Sequence, residues 1–143
     1  MDLQKKLDQI LKQVEKPGRY IGGEVNSIKK TEEEATERMA FAFPDLYEIG
    51  MSYLGMQILY NAVNKEEGVA CERVFAPAAD MESLMKENEV PLFTLETKTP
   101  VKDVDLLGFT LQYEMSFATI LNMLDLAQIP LLAKNRGEEY PIV

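Results

Sequence analysis

The sequence predicts an α/β fold, a Rossmann-like or flavodoxin-like parallel sheet with flanking helices, preceded by an N-terminal amphipathic helix. Three observations carry this. Short strand-like segments at 39–43, 69–75 and 106–111 alternate with amphipathic stretches of helical length. Proline or glycine stands at the junctions, at Pro44, Gly68 and Pro130. Finally, 143 residues that are 46% hydrophobic and 27% charged suffice for one packed core.

In chain order, Leu3, Leu7, Ile10, Leu11 and Val14 recur on one helical face, and Pro17-Gly18 ends that helix. Residues 19–28, with Gly22-Gly23 inside, read as extended, and 29–38 as a solvated connection. Residues 1–37 thus form a helix with an extended segment, and residues 38–143 the α/β domain proper. Met39–Phe43 is a strand covered on both faces. Ser52 is expected to cap a helix to about residue 65 that turns Leu54, Ile58, Leu59, Ala62 and Val63 inward. Val69–Phe75 is the second strand, and Asp80 caps a helix burying Met81, Leu84 and Met85. Residues 91–95 are extended. Leu106–Leu111 is the next strand, and 115–127 a helix packing through Phe117, Ile120, Leu121 and Leu124. Leu131–Ala133 begins a short strand, and residues 140–143 open another, so the domain is expected to be truncated at its C-terminus.

Composition excludes several chemistries. A net charge of −9 opposes nucleic-acid binding. No run approaches a membrane span and no secretion signal opens the chain, so the expected location is cytoplasmic, with no membrane partner. The lone Cys71 supports neither an internal disulfide nor an iron–sulfur or cysteine zinc site, and reads as a buried small residue rather than a reactive thiol. Without histidine there is no His-based triad and no imidazole ligand.

Ligands of such sheets bind beyond the carboxyl ends of the strands, which directs attention to the loops 44–52, 76–80 and 112–116. The first holds neither G-x-G-x-x-G nor a P-loop, and Asp45 and Glu48 would repel a phosphate. Asp45, Glu48 and Glu114 could serve as an acid/base pair or hold magnesium. The plainer reading gives Asp45 to the hydrogen bonds of its own turn and Glu48 to solvent or an ion pair. Tyr47, Tyr53 and Tyr113 either line a cleft or pack.

The words Pro17-Gly18-Arg19-Tyr20, Gly23-Glu24-Val25-Asn26, Ala42–Ser52, Cys71–Pro77, Gly108–Glu114 and Leu121–Ala127, taken together, resemble the N-terminal region of a group of bacterial radical S-adenosylmethionine proteins whose first domain is similar to cobalamin-binding domains. The resemblance implies a cobalamin-binding-like domain over 38–143. Where the better-known cobalamin domains carry D-x-H-x-x-G, this chain has Asp45, Tyr47 and Gly50, followed by Ser52. Thr110 keeps the later hydroxyl, and Gln112 replaces a leucine. A phenol is a poor substitute for a neutral imidazole on cobalt. The resemblance therefore implies cobalamin bound without a protein ligand, or no cofactor, at Asp45, Tyr47, Gly50, Ser52, Thr110 and Gln112. The C-x-x-x-C-x-x-C motif of radical chemistry is absent, so a [4Fe-4S] cluster and S-adenosylmethionine are expected only in a C-terminal part, which would be the domain's partner. The alternative is a structural or protein-interaction domain without cofactor. A homodimer through the N-terminal helix or the sheet edge is a further expectation.

Overall fold

The computed structural model describes residues 2–143. Three parallel strands, β1 (Ala35–Phe43), β2 (Gly68–Phe75) and β3 (Leu106–Phe109), form a sheet in the order β2-β1-β3. The helices are α1 (Leu3–Ile10), α2 (Gly18–Ile21), α3 (Tyr47–Ser52), α4 (Leu54–Asn64), α5 (Ala79–Glu87) and α6 (Ser116–Leu126). The predicted α/β class is the observed one.

Alternation along β1 divides the core. Ala40 and Ala42 face a cluster built with Leu7 and Ile10 of α1, Met81 and Met85 of α5, and Met123 and Leu124 of α6. Phe41 and Phe43 face the other way, onto Met56 and Tyr60 of α4 and Cys71 of β2. The small alanines let three helices approach one face, while the phenylalanines fill the space under a single helix.

Several local expectations need correction. Residues 19–28 are not wholly extended. Pro17, at φ −60° and ψ −25°, opens α2 instead of merely ending α1, because its fixed φ suits a helix start. β1 begins at Ala35, four residues early, since Ala35 pairs with Gly68 and Glu37 with Val69 despite the local charge. Leu131–Ala133 forms no strand; a 3-10 turn covers Ala133–Asn135. Ser52 does not cap α4. It ends α3, where its hydroxyl donates to the Ile49 carbonyl at 2.7 Å. Asp80 lies just inside α5, accepting from the N–H groups of Met81 and Glu15, each at 2.8 Å.

The inward face of α4 also differs. Leu54 and Ile58 are 71% and 58% exposed, whereas Met56, Tyr60 and Asn64 are buried. Polar groups can take that stripe because each is satisfied. The Tyr60 hydroxyl accepts from Ile28 N–H at 2.7 Å, and the Asn64 amide clamps Cys71 through its N–H at 3.0 Å and its carbonyl at 2.9 Å. Likewise Phe117 and Leu121 of α6 are exposed while Met123 and Leu124 carry the packing.

Both sheet edges are engaged. Along β2, Leu95 N–H donates to Arg73 O at 2.8 Å, and the Glu96 carboxylate accepts the Arg73 N–H at 2.7 Å. Beside β3, Ile142 bridges Leu106 in parallel, with Leu107 N–H donating to Ile142 O at 2.8 Å.

Candidate functional site

The chain leaves β1 for α3 and α4 on one face and leaves the adjacent β3 for α6 on the other. Helices diverging from neighbouring parallel strands open a crevice at their carboxyl ends, where ligands of such sheets bind. A cavity of about 250 Å³ lies there. Phe43, Ile49 and Tyr53 wall it from the β1 side; Gln112, Tyr113 and Ser116 close it from the β3 side. The Phe43 and Tyr53 rings pack tilted, with centroids 5.4 Å apart. A second, more open groove of about 500 Å³ runs toward Glu82 and Asn122, and shares Pro44, Asp45 and Tyr113 with the first.

Asp45 sits on the ridge between the two spaces. Its carboxylate accepts Leu46 N–H at 2.7 Å, as its own turn requires, and its backbone is tied to Phe43 O at 2.8 Å and to Ala76 N–H at 2.9 Å. Gln112 is exposed beside the cavity. Thr110 continues β3 by donating its N–H to Ala42 O at 3.1 Å. Its hydroxyl oxygen is buried and, among the described residues, has no hydrogen-bond partner.

Tyr47, Gly50 and Ser52 lie away from the cavity, on α3. Tyr47 donates its hydroxyl to Glu24 at 2.9 Å and sets its ring edgewise on Phe75, with centroids 5.4 Å apart. Burial, and then the Glu24 carboxylate, push its hydroxyl up to about 12. Gly50 is buried where a Cβ would stand 2.3 Å from Phe75 Cε1 and 3.2 Å from Phe43 Cδ1. Gly50→Ala is therefore expected to cost about 1–3 kcal/mol, read from the urea midpoint, through overpacking against an aromatic wall.

The three carboxylates are not gathered. Glu48 is held by Arg19 Nε at 2.9 and 3.0 Å, and Glu114 is exposed. Among the described residues no group of three or more acidic or thiol side chains could hold a metal ion. Cys71 is fully buried, and desolvation pushes its thiol up to about 12.

Sequence reasoning missed a buried polar network beside this region. Arg73, fully buried, donates Nε to Glu96 at 2.7 Å and Nη2 to Glu24 at 3.1 Å and to Ser27 at 2.9 Å. Its guanidinium lies 4.5 Å from the Tyr60 ring centroid. On the same strand Glu72, 1% exposed, pairs with Arg38 and accepts from the hydroxyls of Thr94 and Thr97. The available signal was Glu72-Arg73 inside an otherwise apolar strand, since buried charges require partners. Because Glu24 is shared, this network also fixes Tyr47 and with it the start of α3.

No helix among the described residues is long and apolar enough to cross a membrane. No curated protein and no solved structure matches the chain. A family model described as radical SAM proteins, N-terminal, matches residues 55–143, more than half of the chain and all but the first residue of what runs from α4 to Val143. A switch-point crevice on a three-stranded parallel sheet is thus carried by a chain that belongs to the radical S-adenosylmethionine proteins, as a domain of their N-terminal region.

Proposed function

We propose that this chain is an accessory, non-catalytic domain that docks against the catalytic part of a radical S-adenosylmethionine protein, with the crevice between β1 and β3 at the junction. One observation carries the reading. Ile49, Tyr53, Tyr113 and Met115, which line the crevice and its groove, are large and exposed, and so are Leu111 and Phe117 next to them in the chain. Met115 reaches 79% exposure. Large rimmed apolar patches mark interaction sites, and ligand sites favour domain interfaces. The [4Fe-4S] cluster and S-adenosylmethionine would be held by the catalytic part, since Cys71 is the single cysteine here. The setting expected for such a protein is the cytoplasm.

The test is association of the 143-residue chain with a separately expressed, cluster-bearing part of its own protein, measured by calorimetry. Met115→Asp with Phe117→Asp is expected to weaken it by about 100-fold or more, because charges placed in an apolar contact stay desolvated. Unchanged affinity in that variant, or a chain that uses the rim only to pair with a second copy, would overturn the reading.

A second reading, cobalamin held without a protein ligand, is favoured by the buried, unpartnered Thr110 hydroxyl. Two of the positions it would use fit the group poorly. Tyr47 has given its hydroxyl to Glu24, and the space beside Gly50 is filled by Phe75. Hydroxocobalamin titrated into the chain would shift its visible spectrum under this reading and leave it unchanged under the first.

A further inference from the structure

The crevice has chemistry that the docking reading does not use. Ser116 is 3% exposed and lines the cavity, yet its hydroxyl makes no hydrogen bond among the described residues. Unlike the Thr110 hydroxyl oxygen, it is not sealed from solvent, so it faces the cavity, where water or a ligand completes it. Asp45 lines the same cavity from the β1 side, and its carboxylate enters no ion pair among the described residues. Phe43, Tyr53 and Tyr113 supply aromatic surface around these two groups.

Charge narrows the choice of ligand. No lysine or arginine lines the cavity or the adjoining groove. Of the groove's two carboxylates, Glu82 is neutralised by Lys86 at 2.6 Å and hydrogen-bonded by Asn122 at 3.0 Å, which leaves Asp45 as the uncompensated charge. An anion entering here would lose hydration and meet a carboxylate with no compensating cation. A cation would meet Asp45 and the faces of the tyrosines. A volume of about 250 Å³ lies below the usual range for drug-sized ligands, so one or two fused rings are the natural scale.

We infer that the β1/β3 crevice is a binding site for a small aromatic amine or protonated N-heterocycle, its ring between Phe43, Tyr53 and Tyr113, its cationic or N–H group on Asp45, and a hydrogen-bonding group on Ser116. The site excludes phosphate-bearing ligands. It shares Tyr53 and Tyr113 with the docking rim, but every residue it needs belongs to this chain, so binding is read on the chain alone.

The chain contains no tryptophan, so indole emission reports the ligand alone. Tryptamine titrated into the 143-residue chain is expected to show a saturable change in indole emission with Kd of about 0.1–1 mM. Indole-3-propionate, the same ring on an anionic arm, is expected to bind at least about tenfold more weakly. Asp45→Asn keeps an oxygen for the Leu46 N–H and is expected to narrow that difference to about threefold or less. Ser116→Leu, which fills the cavity, should abolish both responses while an unchanged circular dichroism spectrum reports folding. Equal affinity for the two indoles in the wild type, no response to either, or an Asp45→Asn chain that keeps the full preference overturns the assignment. None of these outcomes involves the catalytic part, so failure here leaves the docking measurement intact, and the reverse.

Discussion

Arg73→Met is expected to cost about 3–5 kcal/mol of stability at neutral pH, measured by urea unfolding, because it strands buried carboxylates without a cation. Glu96 is 2% exposed, and Arg73 contacts it twice, through Nε and through the backbone N–H, both at 2.7 Å. Burial pushes the Glu96 carboxyl above its usual range, and Arg73 pulls it partly back. Replacing Arg73 by Met leaves burial opposed only by the backbone N–H of residue 73, so the folded-state value climbs further above the unfolded one. An acid with a raised folded value contributes stability that is full below its unfolded value and lost as pH rises through the folded one. The deficit of the variant should therefore widen as pH rises above the wild type's own raised value toward neutrality, since below that value both chains lose stability alike. Arg73→Met with Glu96→Leu, which removes both buried charges, should recover most of the loss. A single-variant cost below about 1 kcal/mol, or a deficit flat between about pH 4 and 8, would show that the pair is not what holds β2 to the 93–96 segment.

Strand positions were legible wherever both faces of the sheet are covered. Met39–Phe43 is a continuous apolar run, and Val69–Phe75 is apolar apart from Glu72-Arg73, because helices pack on either side of β1 and β2. The strand-end loops were legible for the same reason, since the parallel order dictates where a crevice must open. Helix faces were less legible. On α4, hydrophobicity pointed to Leu54 and Ile58, but burial follows Tyr60 and Asn64, whose polar atoms are satisfied by Ile28, 32 residues away, and by Cys71 on the neighbouring strand β2. Only tertiary partners can tell a satisfied buried amide from a solvated one.

The candidate residues divide along the same line. Asp45 and Gln112 reach the crevice because they directly follow strands, and backbone order alone puts them there. Tyr47 is turned away by a partner, Glu24, whose role depends on Arg73 and Ser27 and leaves no local mark in the sequence. Tyr53 and Tyr113 read from the sequence as lining a cleft or packing, but nothing there joins Ser116 and Phe43 to them, because the group comes from segments about sixty residues apart that the β1–β3 pairing brings together.

Leu7→Ala combined with Ile10→Ala is expected to unfold the chain largely at room temperature, the outcome that separates a core helix from an interface helix. Leu7 is 1% exposed and Ile10 fully buried, and both pack in the cluster that holds Met81 and Met85 of α5. Each substitution alone should cost about 2–5 kcal/mol in lost transfer energy and residual cavity. A domain of this size has roughly 5–15 kcal/mol in total, so the pair consumes much or all of it, even with some sharing between neighbouring sites. Gln9→Ala, on the exposed side of α1, is the control and should change stability by less than about 0.5 kcal/mol. If α1 instead presented its stripe to a partner, the double variant would keep its unfolding midpoint and change only its oligomeric state. The geometry makes that outcome unexpected, because the stripe is already covered by α5 and the sheet, and Lys6 anchors the helix by donating to Asn88 O at 2.8 Å. With α1 committed to the core, Met115 and Phe117 are exposed apolar side chains outside it, so loss of binding in the Met115 and Phe117 variant should come without the loss of stability that marks the α1 variants.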